Sequence, residues 1–240
     1  MVVVYGLEFS DIYGRIKDYA NLNNVVGADT KAKKAANDAL RLISVMRYWE
    51  KLRREATITG LVAGTASYAI TTYASSYDRI ISCWFVSNGI RIPIDLVDDE
   101  QWNLKSDSTG NGTPTICRVT KADGTLKLQF SPPPSSSFIS LYTYIYFDYV
   151  KKPTELSGDT DVPEIPDTSQ QLAIVYLAVS DLLGKQGDVA GMTSWEVKAT
   201  RLLKTAHIID DKKQGRAARV GRTLIPINST RGIRGMDYNE

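Results

Sequence analysis

The feature that most constrains this chain is a change of hydrophobic period that happens twice. Apolar residues recur every three to four positions near both ends, but from Thr57 to Val150 that period gives way to runs rich in β-branched and aromatic residues, punctuated by Gly, Pro, Asn and Ser. Neither end can bury an apolar helix stripe alone, so the two ends must meet and the middle must fold as a β insertion between them.

The first helix is expected over FSDIYGRIKDYANL. Ser10 or Asp11 is its N-cap, and Ile12, Ile16 and Tyr19 (or Tyr13) share a face. NNVVG breaks the pattern. A second helix is predicted from Asp29 or Thr30 through KAKKAANDALRLISVMRYWEKLRREA, with Ala36, Ala39 or Leu40, Ile43, Met46 and Trp49 or Leu52 as its buried seam. The basic residues around that seam, Lys31, Lys33, Lys34 and Arg41 among them, read first as a solvated face and second as a contact with an acidic partner.

In the middle, SYAITTY, DRIISCWFV, IRIPID, TICRVT, TLKLQF and SFISLYTYIYFDYV are strand candidates. Asn88-Gly89 and Asp123-Gly124 are hairpin-turn signals, and DDEQWNLKS reads as a short helix or an irregular excursion. Strict alternation would put Tyr142, Tyr144, Tyr146 and Asp148 on one face. Helical periodicity returns in SQQLAIVYLAVSDLLGKQGD, which ends at Gly184 and Gly187. It continues in DVAGMTSWEVKATRLLKTAHIIDDKK, with Trp195, Ala199, Leu202, Leu203 and Ala206 as the seam.

The expected fold class is therefore α+β: a four-helix bundle formed by both ends of the chain, an inserted antiparallel β-sandwich or barrel, and an extended C-terminal tail. The boundaries fall at 1–56 (first half of the bundle), 57–152 (β domain), 153–166 (a Pro-rich acidic connector), 167–213 (second half of the bundle) and 214–240 (tail). The tail has spaced arginines and no periodicity. By composition it either stays disordered or orders against a partner.

Function is constrained mainly by what is missing. His207 is the only histidine, so Ser–His–Asp and Cys–His chemistry would both depend on it. There is no Gly-x-Ser-x-Gly and no Cys-x-x-Cys. TGNGT has no following lysine and reads as a mobile loop between strands. Cys83 and Cys117 lie in strand-like runs and are read as free buried thiols in a reducing compartment, with a disulfide as the less favoured reading. The acids of DTDVPEIPD, from Asp159 to Asp167, invite a metal-site reading. Asp159 and Asp161 match the start of a calcium loop, but Pro163 and Glu164 stand at its fifth and sixth positions, where Asp or Asn and Gly belong. The segment is better read as a spacer stiffened by Pro163 and Pro166, with Asp167 or Thr168 capping the next helix. MVVVYGLEFSD lacks a basic leader, and no apolar run approaches the roughly 20 residues that span a bilayer. No enzyme activity, cofactor, metal or membrane association is expected. A net charge of +2 provides no global drive toward nucleic acid.

Several segments taken in order, RYWEKLRREAT, AGTASYAITTYASSYDRII, TGNGTPTICRV, TLKLQFSPPPSSSFISLYTYIYFDYVKKPTEL and DVPEIPDTSQQLAIVYLAVSDLLGKQGD, resemble the head-to-tail connector (adaptor) proteins of tailed bacteriophages, including their tail tubular proteins. The similarity runs from about Asp29 to His207. It implies a structural virion protein at the portal vertex, assembled in the host cytoplasm. It further implies a ring, usually of twelve copies, closed through the helical bundle, with portal protein on one side, a downstream tail or nozzle protein and tail fibres on the other, and transient DNA in the channel. Within that reading, composition assigns portal binding to Arg216, Arg219, Arg222, Arg231 and Arg234, which suit acidic groups, and to Leu224, Ile225 and Ile227, which suit an apolar groove. Tyr142, Tyr144 and Tyr146 are the candidates for contact with a tail component. The alternative is a tail-associated binding module whose Tyr-rich β domain recognises carbohydrate or a fibre or spike. A cell-wall hydrolase carried in the virion is a third reading, with no residue constellation to support it.

Overall fold

The computed structural model describes residues 6–47, 49–106 and 110–213. The tail, and with it all eight residues assigned to portal binding, lies outside the described residues. The fold is mixed α+β, with helices from both ends of the chain packed together and a curled seven-stranded sheet formed between them in sequence.

The helices are α1 (Phe9–Tyr19) and α2 (Ala28–Met46) before the sheet, and α6 (Leu172–Lys185) and α7 (Val189–Lys213) after it. Helix α6 is the centre, because α1, α2 and α7 all pack on it. This explains its composition. Ile174, Val175, Ala178, Val179 and Leu183 are all buried, as expected of a helix that is apolar nearly all round. They share one core with Phe9, Ile12 and Ile16 of α1 and Ala36, Leu40 and Ile43 of α2, and Leu203 and Ala206 of α7 complete it. Gly184 lets Met192 of α7 pack closely on α6, since a Cβ there would stand 2.8 Å from Met192 Sδ.

The predicted second helix is too long. It ends at Met46; Glu50–Leu52 form a 3-10 turn, and RREATI becomes the edge strand β1 (Arg53–Ile58). The apolar period carries on through Trp49 and Leu52, which are buried in the helical core all the same, so periodicity alone does not show where the helix stops. The cap of α1 also differs. Helix α1 starts at Phe9, Glu8 makes no side-chain cap, and neither Ser10 nor Asp11 is in the cap position.

The remaining strands are β2 (Ser67–Ala69), β3 (Tyr77–Ser87), β4 (Ile90–Leu96), β5 (Ile116–Ala122), β6 (Thr125–Ser131) and β7 (Ile145–Lys151), in the sheet order β1-β7-β3-β4-β5-β6-β2. Short helices α3 (Ile70–Tyr73), α4 (Asp99–Lys105) and α5 (Ser136–Leu141) interrupt them. Both predicted hairpins form: Asn88 and Gly89 have φ of 49° and 78°, and Asp123 and Gly124 have 53° and 76°. These left-handed pairs match the strand twist. The expected antiparallel arrangement is broken at β4–β5, which pair in parallel over Asp95↔Ile116 and Leu96↔Cys117.

One proline has a clear role in the sheet. The Asp95 and Val97 N–H groups reach β5, donating to Thr115 O and Cys117 O at 2.9 Å each, so Pro93 lies on the same outward edge of β4. Only the end of β4 is paired there. A residue without an N–H at that exposed edge deprives an incoming strand of a donor.

One face of the sheet covers an aromatic core that includes Phe85, Phe130, Phe138, Ile145 and Phe147. Cys83 and Cys117 are free and buried within it. Burial, then the neighbouring Cys117 thiol, pushes the Cys83 thiol well above its ordinary value.

Candidate functional site

The acidic connector is the first place to look for chemistry. Its backbone, not its side chains, caps α1: Phe9 N–H donates to Asp161 O at 2.8 Å and Ser10 N–H to Asp159 O at 2.9 Å. The carboxylates are also engaged. Asp159 accepts from Lys33 Nζ at 3.0 Å and from the Tyr13 hydroxyl at 3.2 Å. The Lys33 contact holds its carboxyl below the usual range. Asp161 accepts from the Ser157 and Gly158 N–H groups, both at 2.8 Å, and is lowered for that reason. Beneath them Gln171, 1% exposed, accepts from Leu7 N–H at 2.7 Å and donates to Pro163 O at 3.0 Å. The connector is therefore a strap docked on the helices through its backbone and through Gln171, although residues 157–160 and Val162 remain exposed. Asp167 does not cap the following 3-10 turn through its side chain; it pairs with Lys51 at 3.1 Å.

A second feature lies where α2, the 3-10 turn and α7 meet. Arg47 donates to His207 O at 3.1 Å and pairs with Asp210 at 3.7 Å. The His207 ring sits 5.4 Å from the Trp49 ring. The cavity beside them, about 100 Å3, is lined by Trp49, Glu50, Lys51, Ile165, Asp167, Ala206 and Asp210. That is below the several hundred Å3 typical of small-molecule sites. His207 thus belongs to the junction of α2, the 3-10 turn and α7.

The three tyrosines predicted to share a face are separated. Tyr142 is at the C-terminus of α5, where the helix interrupts the strand; half-buried, its ring packs against the core, 4.8 Å from Phe85 and 5.0 Å from Phe138. Tyr146, on the opposite face of the sheet, stacks on Trp84 at 6.1 Å with the planes 11° apart, and Arg91 caps the other side of Trp84 at 4.5 Å. Tyr144 is 45% exposed and touches Tyr146 edge-on. Beside this stack Asp148 is 5% exposed and is paired with Arg53.

Among the described residues no group of three or more His, Cys, Asp or Glu side chains is placed to hold a metal ion, and no helix is long and apolar enough to cross a membrane. The family model for SU10 adaptor protein matches residues 8–224, nearly the whole chain. The chain belongs to the SU10 adaptor protein family. It is thus a phage head-tail adaptor, a structural virion component. No curated protein matches the sequence. The match includes helices, sheet and connector together, so the elements just described are those of the adaptor itself.

Periodicity reading overlooked one surface of this adaptor. On α7, Val197, Arg201, Lys204 and Ile208 recur at i, i+4, i+7 and i+11, all exposed, and lie opposite the buried Ala199, Leu203, Ala206 and Asp210. The same spacing that reveals the buried seam reveals this outer stripe.

Proposed function

We propose that this adaptor joins the capsid portal to the tail as a ring, on the order of a dozen copies, through which DNA passes. The observation that carries the reading is the family match over residues 8–224, which spans both ends of the chain and the sheet between them. In this reading the helices of both ends form the ring wall, and the β region projects toward the downstream tail component. The C-terminal segment 214–240 grips the portal through Arg216, Arg219, Arg222, Arg231 and Arg234, with Leu224, Ile225 and Ile227 filling an apolar groove. Charge distribution supports that last assignment. Five arginines and only two acids follow residue 213, so the net +2 of the chain comes from this segment and the rest is close to neutral. A nearly neutral body also suits a conduit that must not hold the DNA it passes.

The reading is tested by imaging purified adaptor with and without portal protein. Ring-shaped particles docked on portal, lost when residues 214–240 are deleted, are the expected result. Full-length protein that never associates with portal would overturn it. The exposed Tyr144 beside Tyr146 favours, as a second reading, recognition of a tail fibre or carbohydrate at that strip. It restricts the surface to Tyr144 and Tyr146, since Tyr142 is committed to the core.

A further inference from the structure

A ring of identical copies needs two different faces on each chain that fit one another head to tail. From the structure we infer that these faces are the outer stripe of α7 and the outer side of α1, the partner at each being a second copy of this chain. The inference rests on the ring reading above and supplies its contact.

The α7 stripe combines Arg201 and Lys204 with Val197 and Ile208, which are 46% and 51% exposed. It points away from α6, on which α7 packs. Among the described residues Arg201 and Lys204 have no ion-pair partner. Such a face is amphipathic on the side where a monomer has no use for apolar groups.

Helix α1 carries the opposite sign. Glu8, Asp11 and Asp18, with Arg15 among them, line its exposed side. The turn leading to α2 adds Val26, 96% exposed. Acids plus an uncovered valine answer bases plus uncovered Val197 and Ile208, in charge and in kind. The outer side of α2 matches less well in charge: it exposes Leu42, Val45 and Met46, but Lys31 and Lys34 outnumber its one exposed unpaired acid, Asp38, and Arg41 is already paired with Glu155. The contact is sensitive to salt, since all of its charges are exposed.

Charge exchange in the full-length protein tests this. One variant carries Glu8→Lys and Asp11→Lys; a second carries Arg201→Glu and Lys204→Glu. Each alone places like charges at the contact and should associate about 100-fold more weakly than the parent. Mixed together they should restore assembly, with the two variants alternating. Light scattering and native mass measurement read both. The contact is overturned if either variant assembles alone like the parent, if the mixture stays apart, or if Lys31→Glu with Lys34→Glu rescues the first variant instead. Parent-like rings from each variant alone would leave the ring reading in place and remove only the contact. Mixed variants that pair but do not close would keep the contact and remove the ring. If the first variant fails to fold by circular dichroism, Glu8→Gln with Asp11→Asn replaces it. Loss of the parent's ionic-strength dependence is then expected, and a retained dependence would overturn the contact.

Discussion

The carbonyl oxygen of Asp161 accepts the Phe9 N–H at 2.8 Å, so the segment leaving the sheet closes the first turn of a helix that precedes it. The two ends of the chain are joined by this bond, by Ser10 to Asp159, and by the paired hydrogen bonds of Gln171 to Leu7 and Pro163. Acids that look like a metal site are spent on holding the strap in place.

Gln171 is the most sensitive point of the strap. Gln171→Ala leaves the Leu7 N–H and the Pro163 carbonyl without their partner in a buried place, and should destabilise the protein by about 2 kcal/mol or more. Urea unfolding, compared with an exposed control such as Gln101→Ala, measures it.

The strap should also weaken in acid. The folded pKa values of Asp159 and Asp161 are lowered, so their contribution to stability is fully present above the unfolded value of about 3.9 and is lost as pH falls through the lower folded values. Asp161→Asn should therefore melt below the parent at pH 7, and the difference should shrink below about pH 4. Thermal melts across that range check the sign; a difference that grows in acid would contradict it.

Arg53 and Asp148 form an ion pair on the sheet face opposite the aromatic core. Asp148 is buried whereas Arg53 is 42% exposed, and Ser82 Oγ remains 3.4 Å from the carboxylate. Arg53→Met should cost about 1–3 kcal/mol, below the value for a fully buried pair because of that exposure. Adding Asp148→Asn should recover part of the loss, which a double-mutant cycle in urea would show.

Ile43 is fully buried where α2 meets α6. Ile43→Ala should destabilise by about 2–5 kcal/mol, read as a lower urea midpoint. A single urea transition, shifted as a whole and coincident for helical and near-UV signals, would show that the two halves unfold as one unit.

Cys83 should resist alkylation at neutral pH, because burial keeps its thiol protonated and out of reach. Mass spectrometry should find Cys83 and Cys117 unlabelled in the native protein and both labelled in denaturant.

Sequence by itself determined the order helix, sheet, helix, the buried Ala199, Leu203 and Ala206 of α7, and the two hairpin turns. These depend on local period and on the few residues that tolerate left-handed backbone, such as Asn88-Gly89. It also showed the composition of the tail, whereas the outer stripe of α7 became visible only once the fold made it an outward one. Tertiary structure alone decided that RREATI is a strand, since pairing with β7 outweighs a helical period that continues through Trp49 and Leu52. It decided that Tyr142 joins the core while Tyr144 and Tyr146 do not, because α5 breaks the alternation. It also gave the Asp159 carboxylate Lys33 and the Asp161 carbonyl the Phe9 N–H. A group's role depends on which partners lie within about 3 Å, and these two reach the segment only through the folding of the whole chain, whereas the Asp161 carboxylate is held by its near neighbours Ser157 and Gly158.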